Sequence, residues 1–236
     1  MRSISEQMLE EDKLMCDWEK HWQECHSTYP YFNRDGIVNY DQWMQMPAGK
    51  HIIVILKETD ALKGSLAEFL NHGGSDTYYR TWNNVARWVR MILDGAYLER
   101  IDREVLNKTV REIAAINLKK YAGGTRANAR EVKSIALDDL KLLKRQVSLY
   151  EPDIILTGGW GLVSDFLHDC ILEESCAWYD PRQRGDTEQE PDLWYFWTHK
   201  VCENKPTLVL SMPHPNRAAK RWTLELQKVL IREKVQ

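Results

Sequence analysis

No two cysteines in this sequence are spaced as Cys-x-x-Cys. The five present, Cys16, Cys25, Cys170, Cys176 and Cys202, come no closer than six residues apart. A compact thiolate site for zinc or an iron–sulfur cluster has no ligand spacing to support it, so no bound metal and no cofactor are expected. Long apolar runs are missing too: none approaches the roughly 18 residues that a membrane-spanning helix needs. The N-terminal stretch MRSISEQMLEEDKLM is acidic and polar, unlike a secretory signal. The reading is of a soluble, cytoplasmic protein with reduced thiols and no membrane partner. Gly-x-Ser-x-Gly, the P-loop and Gly-x-Gly-x-x-Gly are all absent, which leaves a small-molecule hydrolase without its usual signatures.

A large excess of charge of one sign is also lacking, with 32 Lys and Arg against 35 Asp and Glu and a net charge of −3. The average conceals segregation. Residues 119–145 carry eight basic against three acidic residues, a net of +5. Residues 205–236 carry seven against two, again +5, whereas 165–192 carry two against nine, a net of −7. A locally basic face can bind phosphate on an acidic protein. The alternative is two amphipathic helices with solvated outer faces.

What is present is enough for one sizeable core: 236 residues, 43% of them hydrophobic. Four short apolar runs stand out, at Ile52–Leu56, Ile113–Leu118, Ile154–Thr157 and Thr207–Met212. They do not alternate with polar residues, as expected of strands buried on both faces of a parallel sheet. Helical stripes lie between them: Val85, Trp88, Val89 and Ile92; Val132, Ile135, Ala136, Leu143 and Val147; Leu162, Val163, Phe166, Leu167 and Cys170; Trp222, Leu226, Val229 and Leu230. Asn128 with Glu131 reads as a capping box, and Asn216 as the cap of the last helix. Strands alternating with helices predict an α/β fold, a three-layer αβα sandwich on a central four-stranded, mainly parallel sheet. Strands are predicted at about 51–57, 112–118, 153–158 and 207–212, with a ±2–4 residue margin. Residues 1–50 read as a helical extension packed on this core, broken up by Pro30, Gly36 and Pro47. Residues 51–236 form the α/β domain, with an acidic insertion at about 173–206 whose Leu193–Thr198 stretch reads as an edge strand or a lid.

Ligands of open α/β sheets bind outside the carboxyl ends of the strands. The residues found there are Lys57-Glu58-Thr59-Asp60, Asn117-Leu118-Lys119-Lys120, Gly158-Gly159-Trp160-Gly161 and Pro213-His214-Pro215-Asn216. Two carboxylates, an amide, lysines, a glycine turn and a histidine therefore share one edge. Simpler turn residues would close these loops, so the set points to a binding site. Each member has a plainer alternative. Asn117 can satisfy loop backbone groups, Glu58 can pair with Lys57 or Lys119, and His214 can be a buried structural histidine.

In this order the motifs IIVILKETD, AAINLKK, PDIILTGG and SMPHPN resemble those of the uracil-DNA glycosylase superfamily. The likeness runs from about Asp35 to the C-terminus and lies closest to a divergent branch that also carries Thr81-Trp82-Asn83-Asn84. It implies a DNA N-glycosylase, a hydrolase that removes uracil or a modified base in repair or anti-phage defence. DNA would be its partner, and a monomer is expected. Such an enzyme flips its base into a pocket. The resemblance implies that Asn117 reads the base edge, while an aromatic wall from Tyr78, Tyr79 or Trp82 stacks on it. Glu58 or Asp60 would serve the cationic sugar, and His214 the departing base. Lys119, Lys120, Asn216 and Arg217 would hold phosphates. The alternative is a catalytically weak nucleic-acid-binding module of the same fold. The first motif lacks the Gly and Pro of well-studied members, and Asn216 stands where they have Ser.

Overall fold

The computed structural model describes residues 3–60, 62–74, 79–123, 127–180, 191–217 and 220–235. In chain order the elements are α1 (Ile4–Cys25), β1 (Gly36–Ile37), α2 (Tyr40–Met44), β2 (Ile52–Leu56), α3 (Leu66–Asn71), α4 (Tyr79–Asp94) and α5 (Arg103–Arg111). They continue with β3 (Ala114–Asn117), α6 (Ala129–Asp138), α7 (Leu140–Tyr150), β4 (Ile154–Gly158), α8 (Leu162–Phe166), β5 (Trp194–Thr198), β6 (Thr207–Met212) and α9 (Lys220–Arg232).

The sheet has six strands, not four, in the order β1-β3-β2-β4-β6-β5. The four apolar runs supply its parallel centre, pairing as β3 with β2, β2 with β4 and β4 with β6. Two antiparallel edge strands were not counted. β1 pairs with β3, and β5 pairs with β6 along its whole length. β1 was hard to read because it is only two residues long, whereas β5 lies in the stretch read as an edge strand or a lid, and its pairing with β6 makes it the edge strand.

Alternate residues of the central strands enter two cores, because side chains of a strand point to opposite faces. Ile52, Val54 and Leu56 pack with α4 and α9, including the stripe Val85, Trp88, Val89 and Ile92. Ile53 and Ile55 pack on the other face with α1, α6 and α7 through Leu14, Trp18, Val132 and Val147. The long stripe 132–147 is two helices rather than one, divided at Asp139. Asn128 accepts hydrogen bonds from the backbone of Arg130 and Glu131. The other half of that capping box is absent, because the Glu131 side chain goes to Lys119 and Tyr29 instead. Asn216 sits in a 3₁₀ turn, Pro215–Arg217, ahead of α9.

The N-terminal segment does more than cover a face. It opens on a 22-residue helix, α1, and then contributes β1. Gly36 in that strand has φ 142°, and a Cβ there would fall 1.8 Å from Glu11 Oε1, so only glycine fits. No helix among the described residues is long and apolar enough to cross a membrane.

Candidate functional site

Parallel strands place all their carboxyl ends on one edge, and neighbouring loops diverge at the centre of an order such as β3-β2-β4-β6. A cavity of about 220 Å³ opens there. Glu58, Asp60, Trp82, Asn117, His214 and Asn216 line it, gathered from four separate stretches of chain. Lys57 and Thr81, from the first strand-end motif and the Thr81–Asn84 segment, add polar groups, and Leu62, Leu66 and Phe69, which the sequence reading did not single out, add apolar lining. Their signal was faint, since Leu66 and Phe69 lie on a helix of six residues.

Asn117, the last residue of β3, is 1% exposed. Its backbone N–H donates to Asp35 Oδ2 (2.7 Å), and its carbonyl accepts from Lys120 Nζ (2.6 Å). Both main-chain groups are thus held at the cavity that Asn117 lines. Its side-chain Oδ1 is buried with no hydrogen-bond partner among the described residues. A buried acceptor left unpaired is uncommon and costly, and here it belongs to a residue of the cavity wall.

Lys119 and Lys120 are not placed to meet phosphates, contrary to the expectation. Lys120 and Asp35 are each 0% exposed and paired at 2.8 Å. Burial pushes the lysine down and the aspartate up, each opposed by the other's charge. Lys119 is 2% exposed and bridges Glu58 (2.8 Å) and Glu131 (2.6 Å). Burial lowers its pKa, but the two carboxylates outweigh that and hold it above the ordinary value. The Asn117-x-x-Lys120 spacing therefore clamps the amide. A buried lysine and a surface lysine look alike in sequence, and the partner, Asp35, lies 85 residues away.

Glu58 is engaged by Lys119, and its side chain is only 5% exposed. The ion-pair alternative for Glu58 is thus met, inside the protein and not on its surface. Gly123 lies against this carboxylate: a Cβ at that position would come 2.3 Å from Glu58 Oε2. Asp60 is exposed, at the rim. Asn33, from the N-terminal segment, braces both loops. It accepts from Thr59 Oγ1 (2.6 Å), and its backbone N–H donates to the Lys120 carbonyl (2.7 Å).

His214 follows β6. Its Nδ1 accepts the Asn216 backbone N–H at 3.3 Å, so in the neutral ring the proton resides on Nε2. Burial, with Lys57 and Arg217 nearby, pushes the imidazole below its ordinary value of 6.5. At neutral pH it is an uncharged hydrogen-bond donor. Asn84 of α4 fixes the turn by donating to the Pro215 carbonyl (2.6 Å), and Arg87 donates to Asn84 (2.9 Å).

Trp82 is 3% exposed and belongs to the core as well as to the cavity wall. Tyr78 and the Tyr79 side chain lie outside the described residues. Arg217 is exposed beside the cavity-lining Asn216. The basic segment 119–145 is partly spent internally, since Lys144 pairs with Glu173 and Arg145 with Asp17, besides the two buried lysines.

Fold and site together define an α/β protein with a small, half-polar crevice at the carboxyl edge of its sheet. No family model matches the sequence, and no curated protein matches it.

Proposed function

We propose that this crevice binds a nucleobase flipped out of DNA and that the protein hydrolyses its N-glycosidic bond. The observation that carries the reading is the unpartnered buried Oδ1 of Asn117, a residue in the wall of a cavity of about 220 Å³. An amide offers a donor and an acceptor side by side, which matches the edge of a pyrimidine. The volume is below the roughly 300 Å³ at which drug-sized ligands begin, and suits one flat heterocycle against Trp82 and Phe69.

Bond cleavage leaves negative charge on the base and positive charge on the sugar. Neutral His214, with Nε2–H as donor, suits the developing negative charge. Glu58, held by Lys119, and Asp60 at the rim are the carboxylates available to the sugar cation or to a water molecule. Lys57 and Arg217 take over the cationic roles that Lys119 and Lys120 vacate. The direct test is mass spectrometry of bases released from DNA carrying uracil or modified bases. Asn117→Ala and His214→Ala should each lose most release while remaining folded, the latter by roughly a hundredfold or more. Glu58→Gln and Asp60→Asn, made separately, assign the carboxylate.

One observation favours the alternative of a catalytically weak nucleic-acid-binding module: the more enclosed carboxylate is already neutralised by an ammonium group at 2.8 Å. Salt-dependent DNA binding without base release from any such substrate would establish that reading.

A further inference from the structure

On the face of the molecule built by α1, α6 and α7, three side chains converge that the crevice does not use. His21 lies in the last part of α1, and His26 is its C-cap, where the backbone leaves the helix (φ −131°, ψ 20°). That departure lets two histidines five residues apart face one another edge-on, with ring centroids 5.6 Å apart at 80°. Asp139 comes from the α6–α7 corner, more than a hundred residues on. It occupies an N-cap position, where aspartate ordinarily accepts from the helix backbone. Here it makes no such bond, and its carboxylate is turned inward and 0% exposed.

The three ligand-type atoms, His21 Nε2, His26 Nε2 and Asp139 Oδ1, lie within 4.8 Å of one another. The Nε2 atoms are 3.2 and 3.8 Å from Oδ1. Yet each is buried without a hydrogen-bond partner among the described residues. The rings approach the carboxylate without aiming an N–H at it. Ordinary hydrogen-bonded ion pairs would close that gap. Atoms pointing at a common centre between them would not. In a tetrahedral zinc site with bonds of about 2.1 Å, neighbouring ligand atoms stand about 3.4 Å apart, between the two nitrogen–oxygen distances seen, and with all three atoms inside 4.8 Å an ion need draw them together only slightly. Tyr121 donates its hydroxyl to Asp139 at 3.1–3.2 Å, the kind of outer hydrogen bond that orients a ligating carboxylate.

We propose that His21, His26 and Asp139 bind one divalent transition-metal ion, zinc by the character of the donors, with water as a fourth ligand. The ion would tie the end of the N-terminal helix to the α6–α7 corner, and so hold in place the segment that supplies Asn33 and Asp35 to the crevice. Cysteine spacing gave no hint of it, because no ligand is a cysteine and two of the three lie on one helix end.

The test uses the full chain, stripped with a chelator, dialysed into metal-free buffer and titrated with zinc chloride at neutral pH by calorimetry. Cobalt(II) is used in parallel for its visible spectrum. The expected result is one equivalent bound per chain at micromolar zinc, a tetrahedral-type cobalt spectrum and a thermal midpoint that rises with zinc. His21→Gln and His26→Gln should each weaken binding by about a hundredfold or more, while His72→Gln, an exposed histidine elsewhere, should leave it unchanged. Should Asp139→Asn fail to fold, the partly exposed His21 still provides a folded variant, checked by circular dichroism. Absence of stoichiometric binding to the wild-type chain, or binding undiminished in both histidine variants, overturns the proposal.

Discussion

Replacing Asn117 by leucine should make the protein more stable while removing its capacity to read a base. The Asn117 side chain is buried, and its Oδ1 has no partner among the described residues. An unsatisfied buried polar group costs about 1–3 kcal/mol, and leucine, which keeps the branch at Cγ and the number of side-chain heavy atoms, removes that cost without opening a cavity. The hydrogen bonds that anchor the position, to Asp35 and from Lys120, are made by the backbone of residue 117 and survive the change. For a chain of this size each kcal/mol shifts the midpoint by roughly 2–4 °C, so a rise of several degrees is expected. Thermal unfolding by circular dichroism gives the shift, and urea titration with an unchanged slope attributes it to stability. A lowered midpoint would refute the reasoning, because it would mean that the amide is already satisfied in the free protein and is not waiting for a ligand.

Other perturbations test the surrounding network. Gly123→Ala should push the Glu58 carboxylate away from Lys119, since the new Cβ would lie 2.3 Å from it. A flexible side chain can yield, so base release should fall with little change in the unfolding midpoint. Lys120→Met should cost about 3–5 kcal/mol by leaving Asp35 buried without its partner, and it should leave the salt dependence of DNA binding unaltered; a changed slope with unchanged stability would return Lys120 to the surface. The lowered pKa of His214 means that the unfolded chain binds the extra proton first as pH falls through 6.5. Stability should therefore fall on acidification through that range, and His214→Gln should flatten the profile of urea midpoints. Glu11, pushed up by burial from 4.5 to about 7, has the opposite sign. Its contribution is complete below pH 4.5 and is lost as pH rises through 7, by about 3 kcal/mol. Glu11→Gln should be relatively more stable than wild type at pH 8 than at pH 5.

Much of this architecture was legible in the chain itself. Four runs such as IIVIL declared themselves because strands buried on both faces are apolar without alternation, and such strands lie parallel when helices intervene. Knowing only that, one can name the strand ends, and Glu58, Asn117 and His214 follow from position alone. The edge strands were less legible, since a pair of residues such as Gly36–Ile37 has no periodicity to detect. Tertiary structure alone decided which charges are outside. Lys119 and Lys120 read as surface cations until the fold brings Asp35, Glu58 and Glu131 against them, and burial makes each lysine a clamp on its neighbours. It also decided that Asn117 keeps an unpaired oxygen, and that His21, His26 and Asp139 meet. Pairings of that kind depend on distances in space between residues remote in the chain, and a charged side chain carries no local mark of the partner it will find.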